Sequence, residues 1–357
     1  MKRADMMKEF RVAIGIFLML MACSCHFRRE DIDIQPLDGC SELCVLEQSE
    51  KPVGYLYSMA FSEGTGLILS TDKEVLRFSR EGQFLGNIGY RGRARGEYNM
   101  PMIVRTDGER IFVWDSMLLK FLAFDFDGKF AEEYPYESAI RDFTVSGDKL
   151  FIYTSGRRSA NIIDVYSLSR KVIEKSMTPS SDLQQVYKMI SVYPLDVTDG
   201  ILSYMPCDEL KIFRFDTVNN TPLSGHSQFR SKTFRVPNTE ASVVRANRAN
   251  MLAFDDKASF ILKVIPGMKD RTFLVLTCEG EFRWDGQTRL SDRRYYTIYS
   301  VSEDGESRRL RSFPYDTFAN MSLISVENGA LYFLKRIIDT DSQEEVYKLC
   351  RYELPLG

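Results

Sequence analysis

The chain has 357 residues, 44% of them apolar, with 47 basic against 50 acidic side chains and only two histidines. That much apolar chain can bury a large core, and the mildly acidic balance argues against a nucleic acid or an anionic membrane surface as partner. With imidazole confined to His26 and His226, histidine-built metal centres and Ser-His or Cys-His nucleophiles are largely excluded, so neither a metal nor a cofactor is expected.

The first 22 residues open with Lys2, Arg3, Lys8 and Arg11 and continue into an uncharged apolar stretch from Val12 to Met21. This is the layout of a secretory signal. At roughly ten residues the stretch is too short to cross a hydrocarbon core, which takes about 20 in a helix. It closes on Leu20, Met21, Ala22 and Cys23, which resembles the lipobox of bacterial lipoproteins, where Cys23 would be acylated and become the first mature residue. An ordinary secretory signal, or use of Cys25, is the alternative. Acyl chains contribute about 0.8 kcal/mol per buried methylene, so lipid on Cys23 would hold the protein to a membrane without a spanning helix. Residues 23–40 then read as a polar leash, and 41–357 as the folded domain.

Cys40 and Cys44 follow in a C-x3-C spacing. As part of a strand they would lie about 13 Å apart, beyond disulfide reach, whereas a helical turn would bring them together. Cys207, Cys278 and Cys350 are too far apart in sequence for a zinc-type pattern and read as small buried residues.

From residue 75 onward one short pattern recurs: alternating apolar residues, a Ser or Asp, then a turn. It appears at 75–82 (VLRFSREG), 121–128 (FLAFDFDG) and 298–305 (IYSVSEDG), and more loosely at 163–170, 212–219 and 349–354. Upstream of most copies lies a turn followed by an apolar run: 111–114 (IFVW), 150–153 (LFIY), 201–204 (ILSY) and 331–334 (LYFL). Each pair reads as a hairpin, and unit spacings of roughly 40–50 residues suit four-stranded propeller blades. The expected fold is therefore an all-β propeller of six antiparallel blades, with seven as the alternative. The doubled interval between Phe215 and Val301 would be an insertion or a further blade, with Pro266 and Gly267 in a long connection. Residues around 43–47 are expected to supply the strand that closes the ring on the last blade.

The segment 81–89 (EGQFLGNIG), followed by 91–98 (RGRARGEY) and Pro101, resembles the blade-linking segment of NHL-type propellers. More widely, the chain is similar to the six-bladed β-propeller lipoproteins of Gram-negative bacteria, best over residues 54–130. It departs from that pattern at Ala94 and Arg95, where a Pro is common. The resemblance implies a propeller fold and an outer-membrane lipoprotein on the periplasmic or cell-surface face; it implies no shared ligand.

Several residues are candidates for contact. Arg91, Arg93 and Arg95, between glycines, either sit in a tight crossover or bind a carboxylate, sulfate or sugar acid. Asp142 and Asp196, with Arg141 and Tyr193, belong to expected inner strands and could face the central channel. Trp114 lies in an apolar run and reads as core, while Trp284, between Arg283 and Asp285, reads as exposed and suited to contact. The Asp-Gly pairs at 127–128 and 304–305 read as hairpin turns rather than calcium loops. Together these features favour a binding or scaffolding module for a protein partner, glycan or peptide at the propeller mouth. The competing reading is a polysaccharide hydrolase or lyase, which requires two carboxylates roughly 5–10 Å apart.

Overall fold

The computed structural model describes residues 32–46, 55–155, 161–179, 181–187, 195–225, 227–266, 272–338 and 345–355. Cys23, the expected signal segment and Tyr193, His226 and Gly267 lie outside these. Among the described residues six antiparallel blade sheets follow one another along the chain, each of four strands, with Ser227–Gln228 added as a fifth short strand in the fourth. The first blade shows the construction: Leu56–Ser62, Gly66–Thr71, Val75–Phe78 and Phe84–Asn87 run from the centre outward. Second strands such as Gly66–Thr71 and Ile111–Asp115 are apolar on both faces and wholly buried, because a neighbouring blade covers each side. Outermost strands such as Val172–Pro179 have one wet side and are largely exposed.

Each copy of the recurring pattern is the third strand of a blade and the turn after it, and each upstream run is the second strand. Thus Lys120–Phe124 pairs with Ile111–Asp115, and Lys211–Asp216 with Ile201–Tyr204. Six copies correspond to six blades. The turns between first and second strands need left-handed backbone, supplied for example by Asp199 and Gly200 at φ of 50° and 73°.

The sixth blade is completed from the other end of the chain. Ile324–Glu327, Ala330–Ile338 and Glu345–Glu353 supply three strands, and Ser41–Val45 pairs with Glu345–Glu353 as the fourth. The expected closing strand is therefore present. Leu46 follows it into the core at 6% exposure, packed among buried Leu323, Leu334 and Leu349, and its N–H donates to the Tyr347 carbonyl at 2.9 Å. Because residues 41–45 are extended, Cys40 and Cys44 cannot bridge, and both are free thiols. Just ahead, Ile34 bridges Ser312 on the outer strand of the fifth blade, and Leu37 is buried.

The long interval in the fifth unit is insertion rather than a seventh blade. Two short helices, α2 (Ala241–Ala246) and α3 (Arg248–Asp255), precede the blade; α1 (Asp182–Tyr187) lies earlier, between the third and fourth. A small hairpin, Arg283–Asp285 with Thr288–Leu290, then interrupts the blade between its second and third strands. Pro266 ends the strand Phe260–Pro266. Among the described residues no helix is long and apolar enough to cross a membrane.

If ring closure rests on the first strand, Leu46→Ala should cost about 2–4 kcal/mol through transfer and cavity terms. Val45→Ala, at a position 51% exposed, should stay within about 0.5 kcal/mol. Denaturant titration of both variants checks this, and equal small effects would contradict it.

Candidate functional site

The inner strands of four blades carry a bulge near their beginnings. The register shifts fall between Leu56 and Ser58, Pro101 and Ile103, Ile140 and Asp142, and Ile261 and Lys263. The extra residues are Tyr57, Met102, Arg141 and Leu262. A bulge bends its strand and re-aims the side chain. Tyr57 and Met102 both face a hollow of about 430 Å³ at the end of the ring where the inner strands start, which we call the mouth.

The fifth blade's insertion builds the opposite wall of that hollow. Arg289 on the small hairpin donates to Asp256 at 2.7 Å and to Asp255, at the end of α3, at 2.5 Å. Its guanidinium lies 3.7 Å from the centroid of the Phe282 ring, and Arg294 approaches the same ring at 4.5 Å. Arg294 is buried and held by the carbonyls of Ala258 and Asp255. The hairpin is thus stapled to α3 by charge-assisted bonds. Behind it, Tyr296 stacks on Tyr315 (centroids 5.3 Å, 19°) and meets Phe318, which meets Phe333 of the sixth blade. Burial pushes the Tyr315 and Tyr296 phenols well above their ordinary values, so both stay neutral. Tyr55, 64% exposed, stands at the near rim 5.2 Å from Tyr57, and Asn320 donates to its hydroxyl at 3.4 Å.

Further along the inner strands lies a second hollow of about 310 Å³ with charged walls. Arg105 and Asp142 pair at 2.5 Å across the second and third blades. Asp142 is wholly buried; its other oxygen accepts from Leu195 N–H at 2.9 Å, while Arg105 also donates to Ser58 Oγ at 3.1 Å. Lys263 of the fifth blade lies 3.8 Å from Asp196 and donates to the Leu195 carbonyl at 3.0 Å. Burial pushes the Asp196 carboxyl up and the Lys263 ammonium down, and each charge partly restores the other. Glu327 of the sixth blade accepts from Ser62 Oγ and Glu63 N–H of the first. A polar stitch therefore runs from the sixth blade through the first four to the fifth.

The structure separates the residues singled out from sequence. Arg91, Arg93 and Arg95 are exposed on the linker between the first and second blades. Gly89 and Gly96 of that linker lie against Phe124 and Phe130 on the outer half of the second blade, with φ of 67° and 80°. The crossover reading fits this geometry, and Arg95 is 3.5 Å from Glu132. None of the three lines either hollow described above. Arg141 sits at the bulge of the third blade, half-buried at the level of Tyr57 and Met102, and Asp142 is in the channel wall. Trp284 is 47% exposed on the small hairpin, paired with Arg289, and its indole N–H donates to Asp256 at 2.7 Å. Trp114 is core at 1% exposure. Tyr55, Tyr57, Phe282, Arg289 and Asn320 do not stand out in the sequence. The available signals were two tyrosines flanking the start of an inner strand and the excess chain in the fifth unit.

Asp142→Ala should leave Arg105 buried without its partner and cost about 3–5 kcal/mol. The pair Arg105→Met with Asp142→Leu should recover most of that loss in denaturant titration. A double variant less stable than Asp142→Ala alone would show that the pair is not the source of the cost.

No curated protein matches the sequence. Among solved structures, an exported protein of Bacteroides fragilis superposes with a TM-score of 0.59 at 12% identity, covering 90% of this chain and 97% of its own. A DUF4221-family member from Bacteroides vulgatus gives 0.57 at 10% identity, covering 88% and 98%. At such identities the likeness is one of fold. The family model for DUF5128, described as a 6-bladed beta-propeller, matches residues 46–250, more than half of the chain. With the six sheets and their closing strand in view, the chain belongs to this family of six-bladed β-propellers.

Proposed function

We propose that the protein is an extracytoplasmic binding module, held to a membrane through lipid on Cys23, that takes its ligand in the mouth hollow. The observation that carries this reading is the division of labour along the axis. The charged groups in the channel wall are spent on one another across blade seams, whereas the mouth presents an exposed tyrosine, an amide and an aromatic floor beside a stapled hairpin. Concave sites with a few fixed polar groups among aromatic side chains suit small ligands, and about 430 Å³ falls in the usual range of roughly 300–1,000 Å³.

Export is supported by the apolar opening segment and by the description of the Bacteroides fragilis structure as an exported protein. The lipobox-like residues 20–23 support the tether, and the outer membrane is its proposed site. The hydrolase reading is weaker, because Asp142 accepts hydrogen bonds from Arg105, Phe143 N–H and Leu195 N–H. A carboxylate so enclosed has no face open to substrate.

Three outcomes are expected. The full-length protein expressed in a Gram-negative host should incorporate labelled fatty acid and sediment with membranes, and Cys23→Ala should lose both properties; label retained by Cys23→Ala would reject that anchor. Incubated with polysaccharides, the protein should release no reducing ends or unsaturated products. A bound ligand should slow amide exchange at Tyr55–Tyr57, 282–290 and 315–322. Turnover, or protection confined to other blades, would overturn the mouth as a binding site.

A further inference from the structure

We propose that the ligand of the mouth hollow is a neutral saccharide, packed by a sugar face against Tyr55 and hydrogen-bonded through its hydroxyls to Asn320 and the Arg289–Asp255 pair. The proposal rests on the binding reading above and specifies its chemistry.

The first observation is the platform. Tyr55 is 64% exposed, although 24 Phe and 18 Tyr supply the rings that the core needs. Its hydroxyl is oriented by Asn320 at 3.4 Å and its neighbour Tyr57 is tilted at 60°, so two ring faces meet at an angle over the opening. Tyrosine combines a broad apolar face with a polar tip at a low cost in ordering. The axial C–H faces of a pyranose are the complementary surface, since they offer apolar area without interrupting the ring of hydroxyls at the edge.

The second observation is charge. Arg289 is engaged by Asp255 and Asp256 together, and Arg294 lies beneath Phe282, so two positive groups meet two negative ones at this wall. An anionic or cationic ligand would gain no net attraction there and would lose hydration. A neutral polyol loses far less, and it can use donors and acceptors side by side. The wall supplies both: guanidinium N–H and carboxylate oxygen on the hairpin side, amide and phenol groups on the rim. The fixed bonds that staple Arg289 also keep these atoms in place before a ligand arrives.

The test uses the full-length protein in detergent, titrated by calorimetry and saturation-transfer NMR. The probes are neutral oligosaccharides (gluco-, manno-, galacto- and xylo-series), matched acidic oligosaccharides and short peptides. At least one neutral series should bind, with affinity unchanged between 0.05 and 0.5 M salt, as expected without charge attraction. Tyr55→Ala should weaken binding about tenfold or more, equivalent to about 1.4 kcal/mol, while Tyr55→Phe retains it; the exposure of this residue keeps folding out of the result. Asn320→Ser, which keeps a side-chain oxygen for the bond from Ser322 N–H, should weaken binding with little loss of thermal stability. Binding restricted to acidic sugars, or binding that falls with salt, overturns the neutral-saccharide class. Peptide binding that is lost in Tyr55→Ala overturns the sugar while sparing the mouth as a site. Neutral-sugar binding indifferent to both substitutions places the ligand elsewhere and overturns both readings.

Discussion

A blade whose middle strands are apolar on both faces cannot stand alone, and the molecule depends on this constraint. Gly66–Thr71 is buried along its whole length only because the sixth and second blades flank the first. Each blade makes the same demand of its neighbours, so an open row of six would leave two apolar faces and two long edges in water. The ring satisfies all six demands, and the closing strand Ser41–Val45 joins the start of the described body to Glu345–Glu353 near its end. The contacts that finish the fold are thus among the most distant in sequence. Forming the native ring therefore carries the entropic cost of closing nearly the whole chain into one loop.

Most of the architecture was legible because the blade repeat imposes a period-two pattern and a turn at fixed places. Six copies of the third-strand pattern gave the blade number, and the strand near residues 43–47 was anticipated from closure alone. The doubled interval before Val301 resolved into α2, α3 and a small hairpin, elements whose short, irregular patterns carry little periodic signal.

The site was legible in pieces. Asp142 and Asp196 lie on inner strands, yet their engagement by Arg105 and Lys263 depends on which blades stand side by side. The arginines of the first linker drew attention through their spacing, but the geometry of Gly89 and Gly96 accounts for the glycines between them as packing against Phe124 and Phe130. The mouth tyrosines were missed for a different reason. A bulge turns Tyr57 and Met102 toward the opening, and strict alternation would have assigned their faces differently.

The seam between the fifth and sixth blades differs from the others. The polar stitch of Ser58, Arg105, Asp142, Leu195 and Lys263 reaches the fifth blade from one side, and Glu327 ties the sixth to the first on the other. Between these ends lies the ring stack of Tyr296, Tyr315, Phe318 and Phe333. Hydrogen bonds fix both distance and angle, whereas apolar contact is non-directional. The outer rim of the seam is tied as well, through the lead-in to the closing strand: Gln35 N–H donates to the Ser312 carbonyl, and Arg311 donates to the Pro36 carbonyl and to Asp38. The floor of the mouth is thus the apolar stretch of a seam bonded elsewhere, and a ligand seated there would press on rings of two blades at once.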